Sequence, residues 1–437
     1  MIRFRAVGLV LALTGCMSAA SARSDSGVKL AADAKDFAAR RARLLERLPV
    51  GSIALLFGKP SIADNEKQDS DFYYLTGVED EGAVIVFDKT ERRAKLAAGK
   101  LGGEILFLKP RDPEAERWTG ERESAGESTG QKLGFRFVLR TDSFAETLKD
   151  LALVAREIAH IGRIATHEKP VPKEMSIARA LVDRIPGLAL SNHHTLIRDL
   201  RALKTPYEIE QMRRAIAATH AGFKAAFQTA RAGLTEDALK NAIESGFRGA
   251  GTRDLAFPSI IGSGINSTIL HYRGGTRALA DGDLVVVDIG AEWKRYAADV
   301  TRTIPVSGKF TDEQRKIYDT VLAAQRAAIA KVKPGARIRE DIHAAAYAVI
   351  AKAGYAQTFI HGTSHFVGLD VHDVGDYRGP LKPGMVITVE PGIYLREKKF
   401  GVRIEDMVLV TDDGCEVLSD AIPKDAAAIE AALKKQQ

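Results

Sequence analysis

The stretch Asp281-Gly-Asp-Leu-Val-Val-Val-Asp288-Ile-Gly290 sets a turn, then a run of apolar β-formers, then an acid inside that run. Asp-Gly makes the turn, and the unbroken Leu-Val-Val-Val predicts a buried strand. An ionised carboxylate in such a strand is costly unless it is paired or bound to a metal. Eleven residues after Asp288, Ala297-Ala-Asp299-Val-Thr-Arg-Thr303 is a second β-rich run that carries an acid. Gly290 and the polar cluster Glu292–Arg295 lie between the two, so the spacing predicts a hairpin that brings Asp288 and Asp299 together.

The pattern recurs downstream. Met385-Val-Ile-Thr-Val-Glu390-Pro-Gly392 and Val402-Arg-Ile-Glu405-Asp-Met-Val-Leu-Val410 are apolar strands interrupted by acids and joined through the polar turn Arg396–Lys399. A single strand-end acid is commonly satisfied by backbone N–H groups. Four of them, with a histidine cluster between the pairs, are poorly explained that way. Two divalent ions would neutralise four carboxylates, and one imidazole among oxygen ligands suits Mn, Co, Fe or Zn better than Ca. Two such ions activate water and clamp a tetrahedral intermediate, which is the chemistry of hydrolysis.

The histidines lie in His361-Gly-Thr-Ser-His365-Phe-Val-Gly-Leu-Asp-Val-His372. Spacings of four and seven would stack them on a helix, but Gly362 stands where a zinc-protease helix needs Glu. Gly362, Gly368 and the β-branched Thr363, Val367 and Val371 oppose a helix as well. The segment therefore reads as loop and strand, and the three imidazoles need not share a role.

Around this core, residues 31–48 have helical spacing closed by Pro49, and Ser52–Phe57, Tyr73–Thr76, Ala83–Phe87 and Ile105–Leu108 read as strands. Helical patterns at Phe144–His160 and Lys173–Ile185 flank a strand at Arg163–Thr166, so the first half is read as an α/β module. Thr205 and Pro206 sit at N-cap and N1 of a long helix to about Ala230, with Glu208 completing a capping box. Further helices begin at Thr235, at Thr311 and near Arg339, and the tail from Asp425 predicts a short surface helix.

The 437 residues are 45% hydrophobic and 27% charged, enough for two or three domains with proper cores. The net charge of +6 is dispersed among acids, which argues against a nucleic-acid partner. Met1–Arg5 is basic and Ala6–Leu13 is apolar but too short to span a bilayer, so residues 1–22 read as an export leader. Leu13-Thr-Gly-Cys16 resembles a bacterial lipobox, which would lipidate Cys16; Ala20-Ser-Ala22 is the competing cleavage site. The expectation is a periplasmic protein or a membrane-anchored lipoprotein. Cys415 is the only other cysteine, so a disulfide framework is excluded.

Asp288, Asp299, His365, Glu390 and Glu405, in that order and in those contexts, resemble the dinuclear metal set of the pita-bread metallopeptidases. The match covers residues 198–415. Ser364–Gly375, Glu390-Pro-Gly-Ile-Tyr394 and Ile269-Leu-His271-Tyr272 resemble the proline-specific branch, which holds aminopeptidase P and prolidase. Gln68–Gly77, Lys109–Pro113 and Trp118-Thr-Gly120 resemble the N-terminal domain of aminopeptidase P.

The resemblance implies an α+β chain: a leader at 1–22, a smaller α/β domain at 30–190, and a catalytic domain at 198–425 whose β-hairpins are related by a pseudo-twofold. It implies two divalent ions, manganese first, with cobalt or zinc as alternatives. Asp288 would bind one ion, Asp299 and Glu405 would bridge both, and His365 and Glu390 would complete the set. Glu390 would shuttle the proton of the metal-bound water. His361 and His372 would be catalytic, as second-sphere or substrate-facing groups that hydrogen-bond the scissile carbonyl and the intermediate. His271, Arg403 and Tyr394 would bind substrate, with Arg403 orienting it or a ligand carboxylate.

The implied activity is removal of the first residue from peptides with proline second, by a homo-oligomer. Proline selection is physically sensible, because an Xaa-Pro bond lacks the N–H on which ordinary peptidases rely. An Xaa-Pro dipeptidase is the nearest alternative. A metal-free creatinase-like enzyme or binding module is disfavoured by the intact set of five ligands.

Overall fold

The computed structural model describes residues 30–62, 66–90, 95–96, 99–100 and 103–434. The leader and Cys16 lie outside the described residues. A six-stranded mixed sheet dominates the first half. Its order is Phe137–Arg140, Gly103–Leu108, Val84–Asp88, Ser52–Phe57, Glu157–His160, Ala189–Asn192. Val84–Asp88 runs against both of its neighbours, and the remaining pairings are parallel.

Three elements differ from the sequence expectation. Tyr73–Thr76 belongs to a helix, Ser70–Thr76, and not to a strand. Asp69 caps it by accepting from the N–H groups of Asp71 and Phe72, and Gly77 ends it at φ 67°. The helix expected over Phe144–His160 stops at Val154, and Glu157–His160 is a strand. The strand expected at Arg163–Thr166 is loop, because its place in the sheet is filled by Glu157–His160. Local propensity lost to sheet register in each of the last two cases.

In the second half, two helical hairpins cover two small antiparallel sheets. Pro206–Thr229 with Glu236–Gly249 forms the first hairpin, and Asp312–Ile329 with Ala344–Lys352 the second. Both capping boxes, at Thr205 and Thr311, are formed. One sheet is Val300–Pro305, Leu284–Ile289, Ile260–Ser263; the other is Val386–Val389, Asp406–Val410, Cys415–Val417. Each central pair is linked by a smaller hairpin, Glu292–Ala297 in one and Gly392–Arg403 in the other. This is the pseudo-twofold arrangement of acid-bearing hairpins that the resemblance implies. Gly290 allows the first hairpin to close, since a Cβ there would lie 1.9 Å from the Ala298 carbonyl oxygen. The tail helix Ala426–Lys434 buries Ala426, Ile429 and Leu433, so only part of it faces solvent.

The two halves share a core. One face of the six-stranded sheet (Ile53, Leu55, Val84, Val86, Ile105 and Phe107) packs under its own helices. The opposite face, with Ala54, Leu56, Ile85 and Phe87, joins the main cluster that runs through the catalytic half. Polar ties cross the same seam. Arg295 sits at the tip of the Glu292–Ala297 hairpin with φ 71°. Its guanidinium donates to both oxygens of Glu79 at 3.0 and 2.9 Å and to the Gln68 carbonyl at 2.8 Å.

Candidate active site

The two hairpins and the histidine loop meet around a cavity of about 290 Å³ lined by His271, Asp288, His361, His365, His372, Glu390 and Arg403, among others. Asp299, His365 and Glu405 each offer a ligand atom, and these atoms all lie within 4.8 Å of one another. The Nε2 of His365 is 3.4 Å from Asp299 Oδ2 and 3.6 Å from Glu390 Oε1. Asp288 stands at the edge of this group, with Oδ2 accepting from Arg403 Nη2 at 2.6 Å. The backbone carries the geometry: Asp288 pairs with Thr301 across its sheet, and Glu390 and Glu405 flank the paired residues Val389 and Asp406.

Asp288, Asp299 and Glu405 are buried. Burial first, and then the neighbouring carboxylates, hold Asp299 and Glu405 far above the usual carboxylate range. Burial likewise pushes Glu390 up to about 7, against the opposing charges of His365 and Arg403. Asp288 Oδ1 is buried with no hydrogen-bond partner among the described residues. Four crowded acids facing one guanidinium form a site short of positive charge, and divalent cations fit that deficit. The imidazole is prepared in the same way. His365 Nδ1 lies 3.1 Å from the Phe366 carbonyl, to which it can only donate, so in the neutral ring Nε2 is the lone pair that faces the acids.

The other predicted residues surround this group. Arg403 Nη1 donates to the Tyr394 hydroxyl at 3.0 Å, and that hydroxyl lies 2.8 Å from His361 Nε2. His361 Nδ1 is 2.8 Å from the Gly362 carbonyl. Both nitrogens of His361 are therefore engaged by protein. Burial, with Arg403 second, lowers its pKa to about 4, which keeps the ring neutral. His372 packs edge-on against His365, with ring centroids 4.4 Å apart. Arg403 is tied to the Asp288 carboxylate as well as to Tyr394.

Two sets of residues escaped sequence reasoning. Thr301 Oγ1 donates to Glu405 Oε2 at 2.6 Å and accepts from Arg403 Nε at 3.2 Å, so a residue of the first half holds both an acid and the arginine of the second. Its signal was available: Thr301 lies two residues beyond Asp299 and so on the same strand face. The second set is a buried ion cluster behind the histidine loop. Arg201 Nη1 donates to Asp71 Oδ1 at 2.6 Å, and its Nη2 bonds Asp370 Oδ2 at 2.9 Å and Asp373 Oδ1. Lys204 Nζ reaches Asp373 Oδ2 at 3.1 Å, Arg163 Nε reaches Asp71 Oδ2 at 3.0 Å, and Ser70 Oγ donates to Asp370 Oδ1 at 2.6 Å. The loop that carries His365 and His372 is thereby bolted to the N-terminal domain.

Hairpins that converge four acids and an imidazole beneath helical hairpins define a metallopeptidase architecture. The model of metallopeptidase family M24 matches residues 210–412, and that of the aminopeptidase P N-terminal domain matches residues 37–159. The chain is 35% identical to Xaa-Pro aminopeptidase of Haemophilus influenzae, over 91% of this chain and 96% of that one. It is 33% identical to Xaa-Pro aminopeptidase of Escherichia coli, over 91% and 97%. The structure of Pseudomonas aeruginosa aminopeptidase PepP aligns with a TM-score of 0.82 at 33% identity, covering 92% of this chain and 98% of that one. The chain belongs to the M24 metallopeptidase family and carries the pita-bread fold behind an aminopeptidase P N-terminal domain.

Proposed function

We propose that this chain is a metal-dependent exopeptidase that removes the N-terminal residue from peptides with proline at the second position. The observation that carries this reading is that the ligand set Asp288, Asp299, His365, Glu390 and Glu405 is intact around one cavity, in a chain similar over 91% of its length to Xaa-Pro aminopeptidases. These five residues would hold two divalent ions, which when bound lower the pKa of a water and polarise the scissile carbonyl. Glu390 Oε2 faces the cavity 3.7 Å from His361 Nδ1 and is placed to hold the proton released there. The proline nitrogen carries no hydrogen and must gain one as the bond breaks, so the same carboxyl delivers it. His361 lines the cavity with its two nitrogens held by the Gly362 carbonyl and the Tyr394 hydroxyl. His372 and His271 line the cavity and are read as donors to the peptide carbonyls.

A peptide panel tests this. With manganese supplied, Ala-Pro-Ala is expected to release alanine at least about 100-fold faster than Ala-Ala-Ala, with cobalt and zinc giving lower rates. Equal rates would refute proline selection, and cleavage confined to Xaa-Pro dipeptides would shift the reading to a dipeptidase. We also read residues 1–22 as holding an export leader that is cut before Cys16, with a lipid on that cysteine. Mass spectrometry of the mature N terminus is expected to find diacylglyceryl-Cys16, and a free N terminus at Arg23 would overturn the lipid.

A further inference from the structure

An aminopeptidase holds one residue on the amino side of the scissile bond, and everything after proline must leave on the other side. The cavity lined by Asp288, His365 and Glu390 shares His372 with a larger one, about 520 Å³, in the seam between the N-terminal sheet and the catalytic half. The loop Leu369–His372 forms one wall of this seam, and Lys59 with the segment 67–70 forms the other. The seam in turn shares Lys59 and Asp69 with a third cavity, about 430 Å³, inside the N-terminal domain. This last cavity opens at the carboxyl ends of three strands that run in the same direction. Phe57 ends the first, Lys109 follows the second and Thr141 follows the third. The crevice beyond such strand ends is where α/β sheets take ligands.

The charges along this route are uneven. In the seam the cations are already engaged: Lys67 by Glu292, Arg163 by Asp71 at 3.0 Å and Arg295 by Glu79 at 2.9 Å. The far cavity differs. Lys173 is exposed, with its Nζ 4.6 Å from the centre of the Phe57 ring and no carboxylate partner among the described residues. Lys59 and Lys109 line the cavity beside it, paired only with the partly exposed Glu66 and Glu81. Of the acids in the lining, Asp69 is engaged in capping the helix Ser70–Thr76, which leaves Glu174.

We propose that these three cavities form one peptide-binding route, so that the preferred substrates are oligopeptides with a carboxylate several residues beyond proline, held by Lys59, Lys109 and Lys173. The proposal rests on the exopeptidase reading above and names its substrate class. The carboxylate can be an acidic side chain or the peptide's own C terminus.

The test uses the full-length, manganese-loaded protein and kcat/KM. Ala-Pro-Ala amide is compared with eight-residue Ala-Pro peptides whose tails are neutral and amidated, acidic and amidated, basic and amidated, or neutral with a free C terminus. Acidic amidated tails or free C termini are expected to exceed basic tails by about tenfold, a preference that shrinks as salt is raised. Gain from the acidic amide assigns side chains, and gain confined to the free C terminus assigns the terminal carboxylate. The Lys109→Gln/Lys173→Gln double variant should lose most of the preference while cleaving Ala-Pro-Ala amide at the parent rate. Equal kcat/KM for all four tails, or a double variant that keeps the preference, would overturn the route. Failure to cleave Ala-Pro-Ala amide at all would instead sink the exopeptidase reading.

Discussion

The Asp299→Asn substitution is expected to lower kcat/KM by at least about 10³-fold, since the bound cations are asked for several kcal/mol of transition-state stabilisation. Asp299 is at the centre of the buried group, between His365 and the other acids. An amide keeps the shape and removes one charge. The distinguishing measurement is thermal stability with and without manganese. In the parent protein, chelation should lower Tm, because ions that bind only the folded state stabilise it by about 4 kcal/mol at a thousandfold excess over Kd. In the variant that gain should largely vanish. Its metal-free form should be at least as stable as the metal-free parent, since one member of a mutually repelling set of acids has become neutral. A variant that keeps both full activity and the manganese-induced rise in Tm would refute the ligand assignment.

The second large effect lies outside the cavity. Arg201→Met should cost about 3–5 kcal/mol in denaturant-induced unfolding, because it leaves Asp71, Asp370 and Asp373 packed together with only Lys204 and Arg163 to offset them. Arg201 is 1% exposed, so water cannot replace it. Arg201→Lys keeps the charge, but a single ammonium cannot reach three carboxylates that a planar fork reaches at once, so an intermediate loss is expected. The activity of folded Arg201→Met should also fall, because Asp370 and Asp373 bracket His372 in the loop that the arginine anchors. Unfolding within about 0.5 kcal/mol of the parent would place Arg201 among inert surface charges and refute the anchoring role.

The acids of the site were legible in the sequence because each breaks an apolar strand, where a charge without a partner is expensive. Low helix propensity at Gly362 and Gly368 removed the helix from the histidine stretch, and the structure shows loop there with one bridge from Phe366 to Ile387. The Arg201 cluster was not legible, since its partners lie 130 residues upstream and about 170 downstream. Nothing local marks Arg201 as different from its neighbour Arg198, which pairs with Asp199 near the surface. The misread elements have the same cause on a smaller scale. Tyr73-Tyr74-Leu75-Thr76 has strand-forming side chains, but Asp69 and Gly77 set a helix around them. Between Val154 and Glu157 the chain turns from helix to strand with no Gly or Pro to mark it.

The approximate twofold of the catalytic half supplies two acids from each side, and symmetry alone would make the two ends of the site interchangeable. A peptide is not interchangeable end for end: it has an amine at one terminus, and the bond to be cut lies one residue away. The imidazole breaks the tie. In the second half, the strand Val386–Val389 is edged by the histidine loop through the Phe366–Ile387 bridge; in the first half, Leu284–Ile289 is edged by Ile260-Ile-Gly-Ser263, which has no nitrogen ligand to offer. Among the residues read as metal ligands, the first half therefore offers only oxygen and the second offers nitrogen as well. From two similar halves the chain has built a centre with direction, able to tell which way along a polypeptide it is reading.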